Sequence, residues 1–297
     1  MKYVITGSAG NISRPLTEKL LKAGHQVTVI SRKESNIQSL INQGAVAATG
    51  SVEDPDFLAD HFAGADAVYT MIPPNFMATD WKAYIGGIGK NYATALQRSG
   101  VKNVVNLSSV GAHLPEGAGP VSGLYRAEQA LNELTGVNIR HLRPVYFYTN
   151  FLANIPMVKQ MNIIGSNFGG EGFIMVLTHP DDIAAVAFEE LNGLGFRGHT
   201  YRYIASDERS TNDIASVLGK AIHQPNLPWI SFTNEQLLTA LIQAGLPEEI
   251  ARNYTEMGDA LQKGIFMEDY NRHRPERFGE TKLEDFATVF AKAYQAG

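Results

Sequence analysis

Short apolar runs alternate along the first half of the chain with segments of helical periodicity. The runs typical of buried strands cover residues 3–5, 26–30, 45–49, 67–72, 104–107 and 138–142. Between them, apolar side chains recur every three or four residues, as from Trp81 to Leu96. This alternation predicts an α/β fold built on a Rossmann-type, doubly wound parallel sheet.

A glycine turn joins the first predicted strand to the first predicted helix, with Gly7, Gly10 and Ser13 in the spacing G-x-x-G-x-x-S. Backbone N–H groups at a helix start are unpaired and lie at the positive end of the helix dipole, so they can hold a pyrophosphate. The first strand, turn, helix and second strand therefore predict a dinucleotide site. The residues predicted to line the turn are Thr6, Gly7, Ser8, Ala9, Gly10, Asn11 and Ile12.

Basic residues at the end of the second strand favour NADP(H) over NAD(H). An acidic residue there would bind the ribose 2′-hydroxyl of NAD, whereas Arg32 and Lys33 offer donors to the 2′-phosphate of NADP. Both could instead be solvated surface cations, and Glu34 is an acidic neighbour. At the ends of later strands, we expect Ser51 beside the adenine, and Met71, Ile72 and Pro73 beside the adenosine and ribose.

An aromatic loop follows the sixth predicted strand. Ligands of open α/β sheets bind at the carboxyl ends of the strands, so this loop predicts a flat, uncharged or weakly polar substrate. The same rings could instead anchor the second half of the chain. The predicted substrate-binding residues are Tyr146, Phe147, Tyr148 and Phe151.

The strict alternation weakens after residue 144, which suggests two structural units. We expect residues 1–144, rejoined by 173–205, to form the NAD(P)-binding Rossmann domain. Residues 145–172 and 206–297 are expected to form a smaller, mainly helical, substrate-binding lobe over the nucleotide cleft.

The net charge, the cysteine count and the apolar runs of the chain exclude several classes of function. The formal net charge of −5 and the lack of a basic stripe argue against a nucleic-acid partner. The chain has no cysteine, which excludes thiol catalysis and disulfides. The sequence contains no apolar run of membrane-spanning length, and Met1 leads straight into the first strand, so a cytoplasmic protein without membrane contact is expected. Asp181 and Asp182 stand where a helix begins, which favours capping over a metal site.

Several blocks in order resemble the NmrA-like branch of the atypical short-chain dehydrogenases/reductases. They are residues 6–12 (Thr-Gly-Ser-Ala-Gly-Asn-Ile), Arg32, residues 99–109 (Ser-Gly-Val-Lys-Asn-Val-Val-Asn-Leu-Ser-Ser), Arg143-Pro144 and Asn150. The resemblance covers nearly the whole chain. It implies an NAD(P)-binding protein that is either a reductase, often of quinones or enones, or a regulator that senses the dinucleotide.

The chain departs from the wider superfamily at the expected catalytic motif. That superfamily uses Tyr-x-x-x-Lys with a strand-end serine, and the lysine lowers the pKa of the tyrosine. Here Tyr125 is followed four residues later by Gln129, which has no charge. The candidate catalytic residues are therefore Tyr125, which could equally be a cleft-side aromatic, and Ser108. Ser108 is also expected to contact the cofactor.

Two functions fit these observations. The first is an NADPH-dependent oxidoreductase that transfers hydride to a small quinone-like or enone acceptor, which can take its proton from water. The alternative is a non-catalytic NADP(H)-binding redox sensor that acts through a protein partner. A homodimer is compatible with either function.

Overall fold

The computed structural model describes residues 1–296. The strands are β1 (Lys2–Ile5), β2 (Gln26–Ser31), β3 (Val46–Thr49), β4 (Ala67–Thr70), β5 (Asn103–Leu107), β6 (Asn138–Pro144), β7 (Tyr146–Phe147), β8 (Ile164–Ser166), β9 (Ile174–Thr178), β10 (His199–Ile204), β11 (Asp207–Ser210) and β12 (Trp229–Ser231).

The α-helices are α1 (Ser13–Lys22), α2 (Gln38–Ile41), α3 (Pro55–Phe62), α4 (Trp81–Ser99), α5 (Pro120–Asn132), α6 (Ile155–Met161), α7 (Pro180–Gly193), α8 (Thr211–Ala221), α9 (Asn234–Gln243), α10 (Glu248–Gln262), α11 (Met267–Arg272) and α12 (Leu283–Ala296). Two 3-10 helices cover Glu34–Ile37 and Tyr148–Asn154.

A seven-stranded parallel sheet forms the centre of the first domain. Its order is β10-β6-β5-β4-β1-β2-β3, so the strand order reverses between β1 and β4. That reversal is the topological switch point of a doubly wound sheet, where ligands bind beyond the carboxyl ends of the strands. The predicted fold class is confirmed.

Successive residues of each strand face opposite layers of helices, as the pleat requires. Tyr3 and Ile5 of β1 pack into one apolar cluster with α1 and α7. Val4 packs into the other cluster, which includes Tyr92 of α4 and Leu131 of α5. Burial on both faces explains why the strands are short continuous apolar runs.

The second lobe has its own core and two small sheets. β9 lies between β11 and β7, and β12 pairs with β8. Phe286 and Phe290 of α12 are buried in this core with Ile214 of α8. β9 does not join the central sheet, so residues 174–178 belong to the lobe and not to the segment 173–205 expected to rejoin the first domain. Within residues 1–296, α7 and β10 make that return.

The Asp182 carboxylate ties the lobe to the first domain. It accepts hydrogen bonds from the Ser206 hydroxyl at 2.6 Å and from the Thr281 hydroxyl at 3.2 Å. This is a structural role, and no group of three or more His, Cys, Asp or Glu in residues 1–296 is arranged to hold a metal ion. Over the same residues, every helix is too short or too polar to cross a membrane.

Candidate functional site

The glycine turn between β1 and α1 is closed so tightly that Gly7 has no room for a side chain. Gly7 has φ +92°, and a Cβ there would lie 2.5 Å from Ser13 Oγ and 2.7 Å from Met71 Cγ. The Ser13 hydroxyl donates a 2.9 Å hydrogen bond to the Thr6 carbonyl. A serine in the third position of the motif thus holds the start of α1 against the end of β1.

The amino end of α1 is open to an anion. Its N-cap residue, Ile12, provides no side-chain cap, and its first turn contains no acidic residue. Arg14 donates its N–H to the Gly10 carbonyl and Pro15 has no N–H, so the N–H groups available to a phosphate are those of Asn11, Ile12 and Ser13. Gly10 and Asn11 in front of the helix are exposed, but the Ile12 side chain is buried in the core, so only its backbone can line the turn.

The turn is connected to the basic end of β2. The hydroxyl groups of Ser8 and Ser31 lie 2.9 Å apart, and the Ser31 hydroxyl also donates to the Lys33 carbonyl at 2.8 Å. Arg32 and Lys33 are exposed, and neither has an acidic partner within residues 1–296. Two cations therefore stand beside the phosphate-binding turn without a protein counter-charge.

The loop after β3 lies at the carboxyl end of the sheet, beside the end of β2. The Gly50 N–H donates to the Ser31 carbonyl at 3.0 Å, and the Ser51 hydroxyl accepts from the Glu53 N–H at 3.1 Å. Tyr84 of α4 donates a 3.2 Å hydrogen bond to the Glu53 carboxylate. Burial and this carboxylate raise the pKa of Tyr84 to about 12, although Arg32 nearby lowers it.

Met71 links the turn to a cavity. Its N–H donates to the Thr6 hydroxyl at 2.8 Å, and its carbonyl accepts from the Tyr92 hydroxyl at 2.6 Å. The Met71 and Ile72 side chains line a cavity of about 590 Å³ between the sheet edge and the lobe. Pro73 and Ser51 do not line this cavity.

The cavity walls are mainly apolar and aromatic, and both lobes contribute to them. Ser108 follows β5, and its hydroxyl oxygen is enclosed without a hydrogen-bond partner. The other wall residues from the first domain and β7 include Ser109, Val121, Leu124, Tyr146 and Phe147. From α10 and the following turn come Tyr254, Met257, Lys263, Phe266 and Met267.

Two of the four aromatic residues assigned to the substrate face elsewhere. Tyr148 and Phe151 are fully buried in the core of the lobe. Tyr148 stacks on Phe286 at a centroid distance of 5.6 Å, and its hydroxyl donates to the Thr281 carbonyl at 3.2 Å. Phe151 packs edge-on against Trp229 of β12 at a centroid distance of 6.4 Å, so neither ring lines the cavity.

Tyr125 lies away from the cavity. It lines a separate groove between α4 and α5, together with Lys90 and Gln129, whereas Val121 and Leu124 of the same helix face the cavity. The position of Tyr125 on α5 places it in this groove and not in the cavity, and its catalytic role stays a prediction.

The lobe residues at the cavity were missed by sequence reasoning. Tyr254 and Met257 lie on α10, an amphipathic helix whose apolar residues read as ordinary core positions. They are more than a hundred residues from the aromatic loop in the chain. No local motif marks them, and only the packing of α10 against α4 and α5 brings them to the site.

Sequence comparison finds one matching protein family and one curated relative. Residues 7–147 match the NAD(P)H-binding family. An uncharacterized protein of Schizosaccharomyces pombe is 37% identical over 68 residues, and this match spans 23% of the chain and 23% of that relative's length. The prediction of a nicotinamide dinucleotide cofactor is confirmed by the family match.

Solved structures share the fold over nearly the whole chain. The NADPH-dependent quinone oxidoreductase of Escherichia coli, complexed with NADPH, has a TM-score of 0.82 at 20% identity and covers 97% of this chain and 99% of its own. The triphenylmethane reductase of Citrobacter sp. has a TM-score of 0.79 at 20% identity, with 98% and 100% covered. NmrA, a negative transcriptional regulator in complex with NADP, has a TM-score of 0.76 at 14% identity, with 99% and 97% covered.

Proposed function

Because residues 7–147 form an NAD(P)H-binding domain within the fold of NmrA and its structural relatives, we propose that this protein is an NADPH-dependent oxidoreductase. Its acceptor is a small quinone-like or enone molecule. The observation that carries this proposal is the mainly apolar cavity of about 590 Å³ that begins at Met71, directly beside the glycine turn.

A dinucleotide has one natural path across these residues. Its pyrophosphate fits the open amino end of α1, and its 2′-phosphate fits the unpaired cations Arg32 and Lys33. The other end of the cofactor then runs past Thr6 and Met71 towards the cavity. This path places the nicotinamide at the cavity wall, near Ser108.

The wall chemistry suits an uncharged, flat acceptor. The volume lies within the roughly 300–1,000 Å³ usual for small-molecule sites. Tyr146 and Phe147 provide ring surfaces, and Ser108 has a hydroxyl group with no partner in the protein. The cofactor supplies the hydride, so the protein mainly needs to orient the acceptor and exclude water.

The choice of acceptor follows from the missing activated tyrosine. A ketone that takes hydride at its carbonyl carbon forms an alkoxide, which needs a strong proton donor or electrostatic stabilisation. A quinone that takes hydride forms a stabilised hydroquinone anion, and water can protonate it. Gln129 in place of the lysine is therefore compatible with quinone reduction.

The direct test is NADPH oxidation by the purified protein with a panel of quinones, enones and simple ketones. We expect turnover with quinones and little with simple ketones. The variant Met257→Trp, which fills the cavity from the lobe, should lose turnover yet still bind NADPH. Tight NADPH binding by the wild type without turnover on any acceptor would contradict the proposal.

A second candidate is a sensor that binds NADP(H) and reports its redox state to a protein partner. The placement of Tyr125 outside the cavity favours it, because no superfamily-type proton donor then faces the acceptor. The sensor function predicts a protein partner captured with either NADPH or NADP⁺ but not with both, and no turnover.

A further inference from the structure

One phenol in the cavity has a hydroxyl group that the protein leaves free. Tyr254 lines the cavity from α10, and its hydroxyl makes no hydrogen bond within residues 1–296. Burial is the sole cause that raises the pKa of Tyr254, because neither a hydrogen bond nor a charged neighbour contributes. With its pKa raised above the ordinary value, the hydroxyl stays protonated at neutral pH, and Tyr254 lines the space that the acceptor would fill.

The ring of Tyr254 is held in place across the lobe boundary. Trp81, the first residue of α4, packs edge-on against it at a centroid distance of 5.4 Å. The backbone N–H of Trp81 in turn donates to the Glu249 carboxylate of α10 at 3.0 Å. These two contacts connect α4 of the first domain to α10 of the lobe, so the phenol is preorganised and not a mobile surface group.

Three other polar groups of the cavity differ from Tyr254 in their surroundings. Lys263 is mostly exposed and forms an ion pair with Asp259 at 2.5 Å. Tyr146 lies against Asn150, whose side chain offsets part of the rise in the Tyr146 pKa caused by burial. The Ser108 oxygen is enclosed. Tyr254 combines partial burial, a ring fixed across the lobe boundary and a hydroxyl without a hydrogen-bond partner.

We propose that Tyr254 is the catalytic acid for acceptors that need a proton in the transition state, in place of the tyrosine of the missing Tyr-x-x-x-Lys motif. This assignment rests on the proposed oxidoreductase function. In enone reduction, bound NADPH would supply hydride to the β-carbon, and the C=C electron pair would shift to form an enolate. The Tyr254 O–H bond breaks as its proton passes to the enolate oxygen. Water then returns a proton to the phenolate, and the enol tautomerises to the ketone.

Quinone reduction depends less on the Tyr254 proton than enone reduction does. Its anionic product is stabilised over the ring, so water can deliver the proton after hydride transfer. Enones and quinones should therefore differ in how strongly their reduction depends on Tyr254. Loss of the hydroxyl should slow enone reduction and leave quinone reduction nearly intact.

The test compares wild type, Tyr254→Phe and the matched control Tyr294→Phe, a half-buried tyrosine of α12 bonded to Gln224 outside the cavity. For Tyr254→Phe we expect kcat on an α,β-unsaturated ketone to fall about 100-fold or more. We expect kcat on benzoquinone, and the Kd for NADPH, to change by less than about threefold. The solvent deuterium isotope effect on wild-type enone turnover should disappear in Tyr254→Phe.

Other outcomes overturn the assignment in distinguishable ways. Equal losses on both acceptors, or a raised KM with unchanged kcat, would make Tyr254 a packing residue while quinone reduction stands. If the wild type reduced quinones but no enone, the catalytic role of Tyr254 would be overturned while the proposed oxidoreductase function would stand. Absence of turnover on every acceptor would overturn this role together with the proposed function. Full activity in Tyr254→Phe on both acceptors would exclude the hydroxyl from the chemistry.

Discussion

The guanidinium of Arg143 and the carboxylate of Glu128 form a two-pronged ion pair, with hydrogen bonds of 3.0 and 2.6 Å. Both side chains are almost completely buried. Arg143 is the next-to-last residue of β6 and Glu128 lies on α5, so the pair joins the sheet to a helix that lines the cavity. The Asp269 carboxylate of α11 lies 3.3 Å from the same guanidinium, so the ion-pair network also reaches the lobe.

Glu128→Gln should destabilise the fold, because it leaves the Arg143 charge buried with a weaker partner. We expect a loss of about 2–3 kcal/mol, slightly below the range of about 3–5 kcal/mol for loss of one partner of a buried pair, since Asp269 remains. The measurement is urea unfolding. Glu133→Gln, an exposed change just after the same helix, is the control and should stay within about 0.5 kcal/mol of wild type. Equal stability of both variants would contradict the prediction.

Arg32→Ala should weaken NADPH binding selectively. A charge-assisted hydrogen bond to the 2′-phosphate contributes about 1.5–3 kcal/mol, so the Kd for NADPH should rise about 10- to 100-fold while that for NADH is unchanged. Fluorescence titration of both cofactors measures this. Lys102→Ala removes an exposed charge at the other end of the strands and serves as control. An equal loss of affinity for NADH, or none for NADPH, would show that Arg32 does not read the 2′-phosphate.

Gly7→Ala should abolish dinucleotide binding, because the new Cβ would lie 2.5 Å from Ser13 Oγ and force the turn open. Gly24→Ala is a matched control: Gly24 also has positive φ, at +80°, but a Cβ there meets nothing within 4 Å. Both variants should lose about 1 kcal/mol or more of stability through backbone strain. Calorimetric NADPH titration should show loss of binding only for Gly7→Ala, and retained affinity there would refute the tight-turn argument.

His141 should make the fold sensitive to mild acid. Burial lowers the pKa of His141 to about 4 from the ordinary 6.5. Its ring nitrogens pair with Asn106 and Asn132, each at 3.0 Å. Because the folded pKa lies below the unfolded one, the unfolded chain takes up the extra proton as pH falls. Stability should therefore decline between about pH 6.5 and 4, by an amount on the order of 3 kcal/mol.

Unfolding midpoints across this pH range test the role of His141. His141→Gln keeps a donor and an acceptor but cannot titrate, so its stability should vary less with pH than that of wild type. His61→Gln, a histidine of α3 bonded to its own helix backbone, is the control and should keep the wild-type slope. The same slope in His141→Gln and wild type would assign the acid sensitivity to other groups.

The sequence by itself determined the features that depend on local chemistry. The apolar runs, the helical periodicities and the glycine turn lie within short stretches, and their steric and hydrogen-bonding requirements are local. The position of Arg32 directly after β2 is a local feature of the same kind, and its contact with the 2′-phosphate stays a prediction.

Only the tertiary structure decided which rings reach the cavity. Tyr146 and Tyr148 are two residues apart, yet the first lines the cavity and the second stacks on Phe286 of α12. Tyr125 is excluded by its position on α5, and Tyr254 is brought in from α10 by contacts across the lobe boundary. Aromatic side chains gain burial energy in either setting, so their type and spacing could not choose between a core and a cavity wall. That choice depends on long-range packing, in which each neighbour is distant along the chain.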